Sequence, residues 1–529
     1  MPSCPDKIVI FHYHLLPGGL RSALSGSLEA LAEAGFLDGR EVEILAGRPD
    51  GVADFVADFR KRGVAIGAHV DPRLDYNDGP WPDRETFDAA AGELAADFLR
   101  RGGDATLFWI HNVTIGKNPL LTAAWREAAR RAQADFPSHR FLYHIHDFAE
   151  NGRPENMTVL RRCWGGGGVD RAFPPYGNTA FALINRADAE RMKTAGVPPE
   201  RVYYLPNRVA AGYDEKPEGN IKARLAPYLA DYAARHGYRF DPERAWWVLP
   251  VRLIRRKNVL EAMVAAALRD EPPQLLLTLD ANSERERPYA EAVKDLARTA
   301  HFPMVIGFGR ELVGTAFSFA ELLGAADAVV STSLMEGFGF AFLDGGLFGR
   351  PLAGRDLPDV TRDFDRLGFP RERLYEQLLV DPSPASRRRL LDAAARFVHS
   401  TGREMGVSPA IRERFLDSLA TLMAAKWVDF GLLDFAGQEE IVRRLDDAGF
   451  RAEIRKINPR ALMTGAFPDD FAARVNAEFG TGPHGERLRS AFTAVFDNPG
   501  SVDGPDDIGS WLLDEFFAPH HQRALYGGW

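Results

Sequence analysis

One stretch combines glycines with a helix start at a spacing that suits a phosphate group. A buried apolar run, Ala328–Ser331, leads into a turn that contains Gly337 and Gly339, and a helix is predicted to begin near Phe340. The two glycines permit unusual backbone angles and let a ligand approach the backbone closely. The first turn of the helix presents N–H groups that lack intrahelical partners, and these bind anions.

Two carboxylates flank the same turn. Glu336 stands at the strand end, where it can accept hydrogen bonds from hydroxyl groups, and Asp344 follows two helical turns later, where it can accept from a diol. The alternative is an ordinary strand-to-helix turn with a carboxylate near the helix N-terminus for dipole reasons.

A second stretch carries the cations. The apolar strand Trp246–Val251 is followed by Arg252 and Lys257, and then by Asn258, a candidate N-cap for a helix with apolar residues at helical spacing. The cations therefore flank a turn at the carboxyl end of a parallel strand, where α/β folds bind ligands. A solvated basic loop is the alternative for this stretch taken alone.

The elements that must position these residues form two series. Strands that are apolar throughout, alternating with helices, predict parallel sheets covered on both faces. The predicted strands of the first series are Lys7–Phe11, Glu41–Ala46, Leu107–His111, Phe141–Ile145, Phe181–Asn185 and Val202–Leu205. Those of the second are Trp246–Val251, Leu275–Asp280, Met304–Phe308, Ala328–Ser331 and Leu378–Asp381.

The two series predict two doubly wound, Rossmann-like domains. We expect an N-terminal domain over residues 1–210, a linker or insertion over 211–242, and a C-terminal domain over 243–400. A helical extension covers 401–529; either it braces the cleft, with its last helix packing back toward the first domain, or it supports a homo-oligomer.

Taken together, the motifs resemble those of family 4 glycosyltransferases, which have the GT-B fold. The resemblance rests on Arg252-x4-Lys257 and on Glu336-Gly-Phe-Gly-x4-Asp344, and it extends over roughly residues 5–400 in order and spacing. It implies two facing Rossmann-like domains with the active site between them, and retaining transfer of a hexose from a nucleotide sugar without a metal. The implied donor contacts are Gly337, Phe338, Gly339, Phe340 and Asp344. The implied catalytic residues are His146, Arg252, Lys257 and Glu336.

The match departs from the family pattern at the second acidic position. The family usually has glutamate there, whereas this chain has Asp344, so the carboxylate is withdrawn by about 1.5 Å. A small helix shift or a bridging water would restore the contact.

In the N-terminal half, the same resemblance implies two further donor-site features. Gly18 and Gly19, after the first strand, are similar to the glycine-rich first loop of the family. His146, at the end of another strand, matches the family histidine that contacts the donor sugar. The alternative is a strand-end histidine whose ring nitrogens bond to the backbone.

Three cations near the same sheet edge are candidates for binding the acceptor. Arg21, Lys117 and Arg153 can together recognise a phosphate or carboxylate, bidentately in the arginine cases. Surface solvation is the alternative for each of them.

Composition excludes several other classes of protein. The formal net charge of -9 argues against nucleic-acid binding, and no apolar run is long enough to span a membrane. The two cysteines, Cys4 and Cys163, have no metal-ligand spacing and fit a reducing compartment. We therefore expect a cytoplasmic protein without a cysteine-based metal site, and the family resemblance implies that no metal or cofactor is needed.

The resemblance thus implies a retaining, metal-independent hexosyltransferase that uses a nucleotide sugar of the UDP-glucose or GDP-mannose type. The acceptor is expected to be a small soluble molecule with a reacting hydroxyl. Two alternatives stay open: a nucleotide-sugar epimerase of the same fold, and a sugar-nucleotide-binding pseudo-transferase, which only the departure at Asp344 supports.

Overall fold

The computed structural model describes residues 4–16, 18–77, 79–81, 83–165, 168–210, 219–497 and 503–523. The chain divides into two compact units. The first unit comprises Met1–Ala210, His399–Arg412 and Asn476–Ala518. The second comprises Ala211–Val398, Glu413–Val475 and Pro519–Trp529.

The first unit contains a seven-stranded parallel sheet of order β3-β2-β1-β4-β5-β6-β7. Its strands are β1 (Lys7–Phe11), β2 (Glu41–Ala46), β3 (Ile66–Val70), β4 (Thr106–His111), β5 (Arg140–Ile145), β6 (Thr179–Leu183) and β7 (Val202–Tyr204). The order reverses beside β1, so the loops after β1 and β4 lie at the switch point where doubly wound sheets bind ligands.

Helices cover both faces of this sheet. Ile8 and Ile10 of β1 pack into one buried cluster, while Val9 and Phe11 pack into another on the opposite face. This is why the strand is apolar at consecutive positions rather than at alternate ones. The helices of the unit are Gly19–Glu33, Val52–Lys61, Arg84–Arg100, Pro119–Asp135, Pro154–Trp164, Arg186–Thr194, Arg403–Met405, Thr481–Asp497 and Ile508–Phe516. Short 3-10 turns lie at Pro72–Leu74, Val113–Ile115, Asp170–Ala172 and Pro199–Arg201.

The second unit contains a five-stranded parallel sheet of order β10-β9-β8-β11-β12. Its strands are β8 (Trp246–Arg252), β9 (Gln274–Leu279), β10 (Met304–Ile306), β11 (Ala328–Ser331) and β12 (Leu352–Gly354). A separate antiparallel pair is formed by β13 (Leu379–Val380) and β14 (Val428–Asp429).

The second unit is also rich in helices. They are Ile221–His236, Val259–Ala267, Arg287–Thr299, Gly309–Leu312, Phe319–Ala325, Phe340–Leu347, Pro358–Thr361, Pro384–Phe397, Phe435–Arg444 and Ala448–Ile457. The 3-10 turns are Arg255–Lys257, Arg362–Leu367, Arg371–Arg373, Phe430–Leu432 and Pro459–Leu462. The division between the units falls inside two further helices, Pro409–Ala424 and Phe471–Phe479. None of the described helices is long and apolar enough to cross a membrane.

Most predicted strands are present; three have the predicted ends, and the ends of the others are shifted by one or two residues. One prediction is wrong: Leu378–Asp381 does not extend the parallel sheet, because β13 pairs antiparallel with β14. Two strands were not predicted. β3 contains Gly67 and is only partly buried, and β12 has three residues, so neither shows the continuous apolar pattern that marks the others.

The C-terminal residues do not form one body. Helix Thr481–Asp497 packs on helix Gly19–Glu33 of the first unit so closely that a Cβ on Gly485 would lie 2.5 Å from the Ala30 carbonyl oxygen. The last helix places Ile508, Leu512 and Phe516 in the core of the same unit. Residues 413–475, by contrast, lie in the second unit, as does the helix Ile221–His236 from the expected linker.

Candidate active site

The two loops singled out by the sequence meet at the carboxyl edge of the second sheet. β8 and β11 are neighbouring parallel strands, so the loops that follow them leave the sheet side by side. Lys257 Nζ forms an ion pair with Glu336 Oε1, and the Ser333 hydroxyl donates to the same carboxylate at 2.7 Å. A cation from one loop is thus fixed directly to the carboxylate of the other.

Backbone contacts hold the same two loops together. The Leu334 N–H donates to the Arg256 carbonyl at 2.8 Å. The Thr332 hydroxyl lies within hydrogen-bond distance of the carbonyls of Lys257 and Asn258, at 3.2 and 3.1 Å. The position of Lys257 is therefore set by main-chain geometry as well as by its charge.

Glu336 is an ionised carboxylate in a buried position. Burial by itself would raise its pKa, but the charges of Lys257 and Arg256 and the hydrogen bonds from Lys257 and Ser333 outweigh it and lower the pKa. The carboxylate therefore stays negative at neutral pH and accepts hydrogen bonds.

Asn258 occupies the predicted N-cap position but does not cap the helix Val259–Ala267 through its side chain. Its backbone is left-handed, with φ of 49°, and its side-chain amide donates to Glu261 at 2.6 Å. Its carbonyl oxygen Oδ1 accepts from Gln438 at 3.0 Å. The side chain connects the cation loop to the interior of the unit instead of serving the helix end.

The glycine turn ends where the sequence predicts, with a helix over Phe340–Leu347. Gly339 has a φ of 86°, and a Cβ there would lie 2.7 Å from Val360 Cγ1, so only glycine fits without strain. The ring of Phe338 packs edge-on against Phe340, with 4.9 Å between centroids, and Phe340 is 40% exposed. The N-terminus of this helix is therefore built at the same sheet edge as Lys257 and Glu336.

Asp344 lies in the second turn of that helix and is almost completely buried. Burial raises the pKa of its carboxyl to about 7. The group therefore titrates near neutral pH, unlike Glu336, which has cations beside it.

Arg252 has a neighbour that sequence reasoning missed. Burial lowers its pKa, and the nearby positive charge of Arg310 lowers it further. Arg310 lies in the short helix that follows β10, whose carboxyl end is on the same edge of the sheet. Among the described residues, neither arginine forms an ion pair with a carboxylate. Gly307 and Gly309, which flank Phe308 directly after β10, could have indicated from the sequence that this loop belongs to the site.

The first unit has a pocket of about 270 Å³ at the carboxyl edge of its own sheet, beside the switch point. All three predicted acceptor cations line it: Arg21, Lys117 and Arg153. The described lining residues include one carboxylate, Asp147, against these three cations, so the pocket has an excess of positive charge. Gly18 and Gly19 also line the pocket, and a Cβ on Gly19 would meet no atom within 4 Å.

Each cation of this pocket is held by a defined contact. Arg153 pairs with Asp147 at 2.9 Å, and Arg21 donates to the Leu15 carbonyl at 3.1 Å. Lys117 Nζ lies 5.7 Å from the centroid of the Tyr76 ring. Each of the three cations that line the pocket therefore has a defined neighbour at or beside the pocket wall.

His146 lies in a buried group of imidazoles. Its ring Nε2 is 3.1 Å from Nδ1 of His111, and its backbone N–H donates to Asn112 at 2.7 Å. Burial lowers the pKa of His146 well below the usual range, so the ring is neutral. The proposed contact of His146 with a donor sugar stays a prediction.

The same group is the place to consider a metal ion. Ligand atoms of His111, His144 and His146 lie within 4.8 Å of one another. However, the Trp109 indole donates to His144 Nδ1 at 3.1 Å, and His111 and His146 are hydrogen-bonded to each other. A neutral imidazole has one lone pair, and these bonds use it in His144 and in one of the other two rings. His111, His144 and His146 are therefore arranged as a hydrogen-bonded cluster and not as three free metal ligands.

Comparison with known proteins gives one related sequence and several solved structures. The chain is 28% identical over 380 residues to mannosylglucosyl-3-phosphoglycerate synthase of Petrotoga mobilis, a match that covers 72% of this chain and 70% of the relative. HepE of Anabaena, solved with UDP and glucose, aligns over 92% of this chain and 98% of its own at 12% identity and a TM-score of 0.46. The catalytic domain of starch synthase IV of Arabidopsis thaliana, solved with ADP and acarbose, aligns over 93% and 100% at 10% identity and a TM-score of 0.46.

No protein family model matches the chain. The relative extends over more than two thirds of both sequences, and the chain has two parallel α/β units with a helical C-terminal region. The chain thus combines two doubly wound parallel α/β units with sequence similarity to a mannosylglucosyl-3-phosphoglycerate synthase.

Proposed function

We propose that the protein is a retaining glycosyltransferase, resembling family 4, that transfers a hexose from a nucleoside diphosphate sugar to an anionic acceptor without a metal ion. The observation that carries this proposal is the ion pair of Lys257 with Glu336 on neighbouring strand ends of one sheet. In this arrangement a lysine ammonium and a carboxylate lie at the same sheet edge as the N-terminus of helix Phe340–Leu347, which supports binding of a sugar diphosphate.

In the proposed reaction, the bond between the anomeric carbon and the diphosphate oxygen breaks, and the diphosphate takes the electron pair. Arg252, Lys257 and the N–H groups at the start of helix Phe340–Leu347 stabilise the negative charge that develops there. These fixed cations supply the charge that a bound metal ion supplies in other transferases. The acceptor hydroxyl attacks from the face that the diphosphate leaves, and its proton passes to a phosphate oxygen.

Glu336 is assigned to the hexose. Its ionised carboxylate, held by Lys257 and Ser333, accepts hydrogen bonds from sugar hydroxyls and so orients the ring. Asp344 is assigned to the ribose diol of the nucleotide. A UDP-glucose or GDP-mannose type of donor satisfies both assignments.

The acceptor is assigned to the pocket of the first unit. The name of the Petrotoga relative describes a product with a phosphoglycerate group. A phosphate and a carboxylate on one small molecule suit a pocket lined by Arg21, Lys117 and Arg153. We therefore propose a glycosylated phosphoglycerate as acceptor and a mannosyl group as the first hexose to test. The free cysteines fit a cytoplasmic location.

The test is a transfer assay with a panel of UDP, GDP and ADP sugars, with and without the acceptor. Transfer with retained anomeric configuration, unaffected by EDTA, is expected for one donor. Conversion of the donor without acceptor identifies an epimerase, and donor binding without any turnover identifies a pseudo-transferase; either result contradicts the proposal.

Lys257→Ala tests the site within the same assay. Removing a cation that stabilises transition-state charge is expected to lower kcat by at least about a hundredfold. The melting temperature is also expected to fall, because the buried Glu336 loses its cation, so kcat is measured well below that temperature. The matched control is Lys426→Ala, which removes a lysine that is 60% exposed and paired with Glu453. If Lys257→Ala keeps the activity of the control, the assignment of the donor site is wrong.

A further inference from the structure

A second cationic pocket lies in the first unit, apart from the one assigned to the acceptor. It has a volume of about 430 Å³, and it shares no lining residue with the acceptor pocket. Arg84, Arg126 and Arg171 line it, together with the aromatic rings of Trp164 and Tyr176. The three arginines come from different parts of the chain: the start of helix Arg84–Arg100, the middle of helix Pro119–Asp135, and the turn Asp170–Ala172.

Two of the arginines are fixed in place by contacts with the walls. Arg84 donates to Asp88 at 2.6 Å and to the Trp164 carbonyl at 3.1 Å. The guanidinium of Arg126 lies 5.4 Å from the centroid of the Tyr176 ring. Its distance from the carboxylate of Asp506, 3.6 Å, is longer than a hydrogen bond.

Arg171 has no comparable partner. Among the described residues, no carboxylate forms an ion pair with its guanidinium. Burial lowers the pKa of Arg171, and the charges of Arg84 and Arg126 lower it further, while the charge of Asp88 only partly offsets them. The pocket therefore concentrates positive charge that the protein's own carboxylates leave incompletely balanced.

The remaining carboxylates of the lining are already engaged. Asp88 accepts from Arg84, and Glu127 accepts from Arg130 and Arg131, which lie outside the lining. An added anion would therefore compete with no lining carboxylate for Arg171. It would also relieve the repulsion between the three guanidinium groups.

We propose that this pocket is a second anion site, which binds a small phosphate-bearing molecule through Arg171, Arg126 and Arg84. Guanidinium groups bind phosphate oxygens bidentately, and the volume is that of an ordinary small-molecule site. Trp164 and Tyr176 provide an apolar wall for the non-ionic part of the ligand. The site lies apart from the residues assigned to donor and acceptor, so the proposal does not depend on the proposed function.

The probe is inorganic pyrophosphate, titrated calorimetrically into the full-length protein. Since the assigned donor and acceptor sites also bind phosphates, the titration uses a background variant that carries both Lys257→Ala and Arg21→Ala. Binding with a stoichiometry of one is expected to remain in that background. Loss of all binding in the background overturns the proposal.

Arg171→Ala in the same background is expected to weaken pyrophosphate binding by at least about tenfold, because the bond to a charged group is lost. Arg239→Ala, which removes an exposed arginine of the second unit, is the matched control and should leave the Kd within about twofold. Equal Kd values for the two variants contradict the assignment. If circular dichroism shows that Arg171→Ala does not fold, Arg84→Ala is tested in its place. It is expected to weaken pyrophosphate binding by at least about threefold, and an unchanged Kd would contradict the proposed site.

Discussion

Arg355 and Glu261 form a two-point ion pair in which neither side chain is exposed to solvent. Nε of Arg355 donates to Glu261 Oε1 at 2.9 Å, and Nη2 donates to Oε2 at 2.6 Å. Asp429 accepts from the same guanidinium at 2.6 Å, and its other oxygen accepts from Arg523 at 3.0 Å. Glu261 in turn accepts from Asn258, next to Lys257, so the buried network lies directly behind the proposed donor site.

Arg355→Ala is expected to destabilise the protein strongly. The change leaves the buried carboxylate of Glu261 without its cation and leaves Asp429 with Arg523 alone. Removing one partner of a buried ion pair typically costs about 3–5 kcal/mol. The measurement is the free energy of unfolding of the second unit from urea denaturation. Arg373→Ala, at a side chain that is 55% exposed, is the control and should change that free energy by less than about 1 kcal/mol. A similar small change for Arg355→Ala would contradict this account of the network.

Arg310→Ala tests the cation that the sequence analysis did not single out. If Arg310 and Arg252 together bind the diphosphate, removing Arg310 is expected to weaken binding of the nucleoside diphosphate about tenfold, as for a lost charge-assisted hydrogen bond. The Kd is measured by calorimetry with the nucleotide identified in the donor panel. Arg287→Ala, at a side chain that is 64% exposed and paired with Glu284, is the control. An unchanged Kd for Arg310→Ala places that arginine outside the donor site.

Lys117→Ala tests the acceptor pocket separately from the donor site. The variant is expected to raise the KM for the acceptor about tenfold and to leave the KM for the donor within about twofold, because Lys117 is one of the three pocket cations assigned to the acceptor. Steady-state kinetics with each substrate varied in turn make the measurement. Lys61→Ala, whose side chain is 75% exposed, is the control. A rise in the donor KM instead would assign the pocket to the donor.

The sequence predicted the two parallel sheets and the pairing of the cation loop with the glycine turn, because each rests on local patterns. Fully apolar strands such as β11 show their burial on both faces directly. The contribution of Arg310 could not be read in the same way, since its approach to Arg252 depends on the order of strands in the sheet. The buried Arg355 network was missed for a similar reason: its members are up to 262 positions apart in the sequence from Glu261 to Arg523. No periodicity relates residues at such separations.

The pH dependence of donor binding follows from Asp344. Its pKa is raised to about 7, so the carboxyl is mostly protonated at pH 6 and mostly ionised at pH 8. If the ionised form accepts from the ribose diol, the donor Kd is expected to fall as the pH rises, by up to about tenfold over this range. Asp344→Asn removes the titration, and its donor Kd should be independent of pH. A wild-type Kd that does not change between pH 6 and pH 8 would remove Asp344 from the donor site.

Acid sensitivity of the first unit follows from its buried neutral histidines, and His484 allows a single-residue test. Its Nε2 lies 2.9 Å from the Ser27 hydroxyl, across the contact between helices Thr481–Asp497 and Gly19–Glu33. Burial, with nearby positive charges, lowers its pKa to about 3, while the unfolded chain retains a value of about 6.5. The unfolded state therefore binds the proton first, and stability is lost as the pH falls below about 6.5.

His484→Gln is expected to remove part of this pH dependence. The glutamine amide can take the place of Nε2 toward Ser27, but it does not titrate. Between pH 7 and pH 5, protonation of His484 in the unfolded chain lowers the free energy of unfolding by about 2 kcal/mol. Over the same range, the decrease in the variant should therefore be about 2 kcal/mol smaller than in the wild type. The free energy of unfolding at the two pH values makes the measurement. An equal decrease in the free energy of unfolding in both proteins would mean one of two things: His484 is already protonated in the folded state, or its proton affinity is the same in the folded and unfolded states. Either result contradicts a buried neutral ring.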